Sequence, residues 1–289
     1  MQEDQYERKW AKGNKVFSIV ALTHPTGVLV FGISIFALTI VAYGDIFSIN
    51  QSLLMSFAMM FAQATSGIVN EIFDYDLDRV SKPWRALPAE YISIQQASLI
   101  AVTTLIVSMC LATCVSEESA ILLFLGIGVG VLYSAVLKRT KFSWIPYVIA
   151  YPSLPLWVWI SLGKYDLRMF TLYLLAFPFV IAFHIVNQLR DYEQDSASGV
   201  EGFVQNLGWE RAVRLCFILL VISPLSFIIA GGFRSLLTLV GMCVTGVVHW
   251  LLVVPLIFLQ QRSPEVENFR KIFRRLQVTG PLMMLLWLL

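Results

Sequence analysis

The chain alternates long apolar runs with short charged connections, and that alternation limits its fold more than any other feature. A helix needs about 20 apolar residues to cross a bilayer. Hydrocarbon offers backbone amides no outside partner, so a spanning segment must satisfy them itself. Eight runs come close to that length, Val20–Ala42, Ser52–Phe73, Ser93–Cys114, Ala120–Leu137, Trp144–Leu162, Met169–Leu189, Ala212–Ala230 and Leu236–Leu259, and a short ninth, Val278–Leu289, reads as the last helix. The expected fold class is all-α, a polytopic membrane protein with nine transmembrane helices. With 57% apolar residues and a mean hydropathy of +0.73, the chain has no stretch that reads as a soluble domain. Residues 1–289 are expected to form a single membrane domain.

Charge sets the orientation. With nine crossings, the amino terminus and the connections after the second, fourth, sixth and eighth helices lie on one side. They carry 18 of the 21 Lys and Arg residues, leaving Lys164, Arg168 and Arg234 on the other. Cytosolic loops are enriched in such residues, so the richer side is expected to face the cytosol. The net charge of +2 therefore reflects topology. No basic face studded with aromatics points to nucleic acid. Cys110, Cys114, Cys216 and Cys243 all fall inside apolar runs, which suits reduced thiols rather than disulfides or zinc. The first 15 residues are hydrophilic, so no cleavable signal peptide is expected.

The chemistry concentrates where two of the apolar runs end. Asn70-Glu71-Ile72-Phe73-Asp74-Tyr75-Asp76-Leu77-Asp78-Arg79 places four carboxylates and an amide at the end of the second run. Asn187-Gln188-Leu189-Arg190-Asp191-Tyr192-Glu193-Gln194-Asp195 repeats the order after the sixth. Residues four apart share a helix face, so Asn70, Asp74 and Asp78 should form one column and Asn187, Asp191 and Asp195 another. Like charges at the rim of a low-dielectric region are costly without a cation between them. An oxygen-only donor set suits Mg²⁺, which commonly bridges carboxylates to substrate phosphates. The bland alternative is that these acids only cap helices leaving the bilayer.

The basic connections supply the complement. Lys82 and Arg85 follow the first motif in a segment broken by Pro83 and Pro88, and are expected to reach back over a phosphate pair. Lys138 and Arg139 lie about one turn beyond Tyr133, whose hydroxyl would meet a substrate there. His184, three residues before Asn187, is placed to orient an acceptor or take its proton. His24 begins the first span beside Pro25, where a cavity-facing role competes with simple anchoring. The loop Ser196–Phe203 is rich in glycine and small residues and reads as a flexible lid. A transporter would place its acids near the midplane on broken helices, whereas these sit at helix ends.

Together, Asn70-x-x-x-Asp74-x-x-x-Asp78, Asp191-x-x-x-Asp195, the run Asp78-Arg79-Val80-Ser81-Lys82-Pro83-Trp84-Arg85-Ala86-Leu87-Pro88, and Tyr133 with Lys138-Arg139 resemble the UbiA superfamily of intramembrane prenyltransferases. The resemblance implies a nine-helix bundle with a central cavity open to membrane lipid, in which Mg²⁺ ions hold a prenyl diphosphate. Asn70, Asp74 and Asp78 would serve one metal, and Asp191 and Asp195 the other. Lys82, Arg85 and Lys138 would neutralise the leaving diphosphate, with Tyr133 beside it. The implied reaction is prenyl transfer to an aromatic or lipid acceptor; the alternative is a terpene cyclase of the same superfamily, which needs no acceptor. Two departures stand out. Ala86 replaces a common proline, and Gly199-Val200-Glu201-Gly202 stands where relatives often have glycine, a base and threonine. No feature of the sequence fixes the prenyl chain length, the acceptor or an oligomeric state.

Overall fold

The computed structural model describes residues 15–44, 48–229, 235–260 and 266–289. Arg8, Lys9, Lys12, Arg234 and Arg262, which entered the charge count, and the expected helix end at Ala230 lie outside the described residues. Within them the chain is helical, with no strand. Six helices are long and apolar enough to cross a membrane, or seven if the bent pair Leu167–Leu175 and Phe177–Leu189 is one span. The segment Ile145–Ser161 is apolar but shorter. The chain is thus an all-α, multi-pass membrane protein.

Proline and capping chemistry explain where the helices depart from the expected bounds. The first run is two helices, Lys15–Leu22 and Pro25–Tyr43. Pro25 lacks an N–H and its ring bars the preceding residue from the right-handed helical region, and His24 takes a left-handed conformation with φ 54° and ψ 62°. The expected span Met169–Leu189 bends by 47°, since Pro178 cannot donate to Leu174 and crowds its carbonyl. The helix Glu117–Ala135 starts earlier than expected because Ser116 accepts the Ser119 N–H at 3.0 Å. Ser93 and Gln96 close a reciprocal capping box on Ile94–Thr113.

The expected short last helix is the second half of a longer one, Val266–Leu288. Its Arg270, Lys271, Arg274 and Arg275 read as a loop in sequence. On the helix they leave Phe269, Ile272, Leu276 and Met283, spaced by threes, fours and sevens, to bury one stripe.

The chain divides into two compact units, Met1–Val136 with Trp157–Tyr165, and Leu137–Leu156 with Asp166–Leu289. In the first, Ile49–Phe73 packs against Pro25–Tyr43, Ile94–Thr113 and Glu117–Ala135. Small residues make the central contact. Ala97, Ala101, Thr104 and Ser108 recur at helical spacing along Ile94–Thr113 and are buried. Thr104 pairs with Thr65 at 2.8 Å and Ser108 donates to the Ala58 carbonyl at 2.8 Å. Between apolar helices in lipid, close packing and hydrogen bonds drive association because tails are as apolar as leucine. The connection after the first motif is tucked into this unit by Ala86, Leu87 and Ile92, which pack with Leu22, Ile68, Ala97 and Ala101.

In the second unit, Phe177–Leu189 packs against Trp209–Ile229 and Val266–Leu288, and Leu236–Gln260 against both of the latter. A buried polar knot joins three of these helices. Pro224 cannot donate to the Leu220 carbonyl, which accepts instead from His249 Nε2 of the next helix at 3.2 Å and from the Ser223 hydroxyl at 3.2 Å. A carbonyl only accepts, so Nε2 carries the proton. Nδ1 therefore accepts from the Thr279 hydroxyl at 3.0 Å.

Candidate functional site

Both acidic motifs straddle a helix break rather than lying on one continuous helix. Ile49–Phe73 ends at Asp74, with φ −88° and ψ 0°, and Tyr75–Ser81 starts directly after it. Phe177–Leu189 ends at Arg190, Asp191 takes φ −113° and ψ 11°, and Tyr192–Ala197 follows. The sparsely allowed bridge region that both aspartates approach is where many active-site residues sit. Bonds of the i to i−4 kind continue through each break: Asp78 N–H to Asp74 at 2.8 Å and Asp195 N–H to Asp191 at 2.8 Å. The four-residue spacing of each column therefore survives while its direction changes. Neither Asp74 nor Asp191 makes a side-chain capping hydrogen bond to the short helix it precedes, so capping does not account for either carboxylate.

In the first unit, the motif is buried and tightly wired. Asn70 Nδ2 donates to Asp74 Oδ2 at 3.0 Å, and Ser134 Oγ lies 3.3 Å from Asn70 Oδ1. Asp74 and Asp78 are 3% and 2% exposed, less than a helix end facing water would leave them. Arg85 Nη1 reaches Asp78 Oδ2 at 2.7 Å and Glu71 Oε1 at 2.8 Å. His24 Nε2 completes the chain at 3.0 Å from the same Glu71 oxygen. Burial pushes the Asp78 carboxyl above the ordinary carboxylate range, against the pull of Arg85 and Lys82, and Glu71 adds to the rise.

Arg85, expected over a phosphate pair, meets the side chains of Glu71 and Asp78. The spacing of the motif does not single out Glu71. Its one signal in the sequence is its place directly after Asn70, about a hundred degrees around the helix from the Asn70 column. His24, weighed as a cavity residue or an anchor, is a partner of that acid. Gly67 makes this possible, since a Cβ there would come 2.9 Å from His24 Cδ2. Tyr133 sits in the last turn of Glu117–Ala135, half-buried.

In the second unit, Asp191 and Asp195 are half-buried. Asn187 Nδ2 donates to the Tyr147 hydroxyl at 3.0 Å. The Arg190 guanidinium stands 4.4 Å over the Phe273 ring, a cation–π contact that holds it beside the motif. Lys138 and Arg139 form a single turn, Leu137–Arg139. His184 is fully buried, 4.5 Å from the Tyr147 ring. The loop expected to be a lid is anchored: Val204 N–H donates to Gln188 Oε1 at 3.0 Å and Phe203 N–H to Ser143 Oγ at 3.2 Å.

Among the described residues, no three His, Cys, Asp or Glu side chains gather as a metal shell of protein atoms alone. The donor set still suits Mg²⁺, which is usually held by one or two carboxylates while waters and substrate phosphates fill its remaining positions. Asp78 fits that use, because Arg85 occupies its Oδ2 while Oδ1 meets only the Ser81 hydroxyl, at 3.5 Å, among the described residues.

The UbiA prenyltransferase family model matches residues 30–277. The digeranylgeranylglyceryl phosphate synthase of Saccharolobus solfataricus is 27% identical over 199 residues, covering 66% of this chain and 70% of its own. That of Methanococcus maripaludis is 24% identical over 260 residues, covering 86% and 88%. A solved structure of digeranylgeranylglyceryl phosphate synthase matches with a TM-score of 0.71 at 19% identity, over 95% of this chain and 97% of that one. A UbiA homologue from Archaeoglobus fulgidus, bound to DMAPP and Mg²⁺, matches with a TM-score of 0.65 at 19% identity, over 92% and 99%. Identity that low speaks for the fold. The family match speaks for the kind of enzyme, and with it the chain belongs to the UbiA prenyltransferase family.

Proposed function

We propose that the protein transfers a prenyl group from a prenyl diphosphate to a lipid acceptor bearing a hydroxyl, with release of diphosphate. The observation that carries this is the repeated helix break, in which Asp74 and Asp191 share a backbone conformation and neither caps the helix that follows. Relatives named as synthases of a prenylated glyceryl phosphate support a lipid acceptor over an aromatic one. The family match from 30 to 277 takes in parts of both compact units, which supports reading the chain as one UbiA-type domain.

In this reading Asn70, Asp74 and Asp78 hold Mg²⁺ in one unit, and Asp191 and Asp195 hold it in the other, with the motifs on the cytosolic side. Bound Mg²⁺ would stabilise the negative charge that grows on the departing diphosphate. Lys82 in the first unit, and Lys138 and Arg139 in the second, would supply further positive charge for a diphosphate. Arg85 acts from behind, its charge set against the buried Glu71 and Asp78 carboxylates. Asn70 orients Asp74 through its amide, Asn187 is fixed by Tyr147, and Tyr133 borders the substrate.

The test is turnover of the purified protein in nanodiscs with Mg²⁺ and labelled geranyl, farnesyl and geranylgeranyl diphosphates, with and without a prenylated glyceryl phosphate. Acceptor-dependent product is expected. A cyclic hydrocarbon formed without acceptor would overturn transfer and assign the cyclase reaction.

A further inference from the structure

Ser143 has an unusually complete set of neighbours for one hydroxyl, and they determine where its proton goes. It is fully buried just before the helix Ile145–Ser161. The Phe203 backbone N–H points at its Oγ from 3.2 Å and can only donate. Gln188 Nε2 lies 3.2 Å away. That amide cannot be turned round, because Gln188 Oε1 already accepts the Val204 N–H at 3.0 Å. Two donors fill both lone pairs of a hydroxyl. Its proton is left for the third neighbour, His184 Nε2, at 3.1 Å.

His184 must then accept at Nε2 and carry its own proton on Nδ1. In this tautomer the one lone pair of the neutral ring, on Nε2, is engaged by the Ser143 hydroxyl and is not open to a proton from a substrate. Nδ1 is buried and has no hydrogen-bond partner among the described residues.

The same hydroxyl ties down the chain behind the second motif. Val200 N–H donates to the Asp195 carbonyl at 2.9 Å. Two residues later, a Cβ on Gly202 would come 2.6 Å from Gln188 Nε2, so a glycine lets the loop pass close over that amide. Phe203 and Val204 then dock on Ser143 and Gln188.

We infer that Ser143 and Gln188 are positioning residues for prenyl diphosphate binding: they latch residues 200–204 behind Asp195, and Ser143 sets His184 as a hydrogen-bond donor at Nδ1. This rests on the proposed role of Asp195, but the proton assignment and the latch stand on geometry alone.

The chain has three histidines, so selective ¹⁵N-histidine labelling resolves the tautomers directly. The His184 signal is assigned by its loss in His184→Asn. The expected result is protonated Nδ1 at His184 and protonated Nε2 at His249, opposite tautomers in one sample. Protonated Nε2 at His184 overturns the assignment whatever the activity. Amide hydrogen exchange reads the latch: Ser143→Ala should speed exchange at Phe203 and Val204 by about tenfold, one hydrogen bond's worth, and unchanged exchange there overturns it. In the transfer assay, Ser143→Ala and Gly202→Ala should raise KM for the prenyl diphosphate about threefold to tenfold with kcat within about twofold, and Ser143→Thr should restore it. A fall in kcat alone overturns the positioning role. An inactive wild type with the expected tautomers and exchange would instead count against the proposed reaction.

Discussion

Arg85 and Glu71 form a buried ion pair at 2.8 Å, and the same nitrogen holds Asp78 at 2.7 Å. Breaking a buried pair from one side leaves an uncompensated charge and costs roughly 3–5 kcal/mol. Arg85→Leu takes the shared guanidinium from both acids, leaving Glu71 only His24 at 3.0 Å among the described residues, and should lower stability by about that amount. Glu71→Gln keeps the shape, leaves Arg85 paired with Asp78, and should cost no more than about 1–2 kcal/mol. Thermal unfolding of the two variants in detergent checks the order; a Glu71→Gln protein less stable than Arg85→Leu would show that Asp78, not Glu71, is the lesser partner.

Gly67 should be intolerant of even one methyl group. Gly67→Ala forces His24 away from Glu71, as its Cβ would lie 2.9 Å from Cδ2 and 3.5 Å from the Thr23 carbonyl. A loss of about 1–3 kcal/mol is expected from overpacking. Gly27→Ala is the matched control, since a Cβ there meets nothing within 4 Å, and better helix propensity should leave stability level or raised by about 0.5–1 kcal/mol.

The His249 knot predicts a rescue. His249→Leu leaves the Leu220 carbonyl with the Ser223 hydroxyl as its donor, at 3.2 Å, and should cost about 0.5–1.5 kcal/mol. Adding Pro224→Ala restores a backbone N–H four residues after Leu220, so the double variant should recover a good part of the loss. Additive losses in the double-mutant cycle would mean that Pro224 and His249 do not share that carbonyl.

Asp74→Ala and Asp191→Ala should each reduce turnover by at least about a hundredfold, the scale of losing one strong transition-state contact, while size-exclusion profile and helicity stay as in the parent. Asp76 lies in the same motif but faces solvent, and Asp76→Ala should keep activity within about twofold. Full turnover in either of the first two variants would remove the carboxylates from the mechanism.

The motif repeat was legible because residue order survives any change of backbone direction. Asn70, Asp74 and Asp78 keep their i to i−4 connection through the break. What the order hid was the break itself. In residue order Asp74 and Asp191 are each the middle of a column, whereas in the fold they are where the backbone turns. Nothing local forces that turn: neither is flanked by proline or glycine.

The helices came from the sequence alone, because a run of apolar residues in lipid must close its own hydrogen bonds and can do so only as a helix. So did the family, because acids spaced by fours at two helix ends have few other uses. Partnership is a different matter. Arg85 with Glu71, Ser143 with His184 and Gln188, and His249 with the carbonyl above Pro224 join side chains 14, 41 or 45, and 29 residues apart. Which groups then meet depends on how far each helix is rotated and where small residues such as Gly67 and Gly202 let neighbours approach. Those choices belong to tertiary packing, where a buried polar atom must find whichever partner geometry leaves within reach.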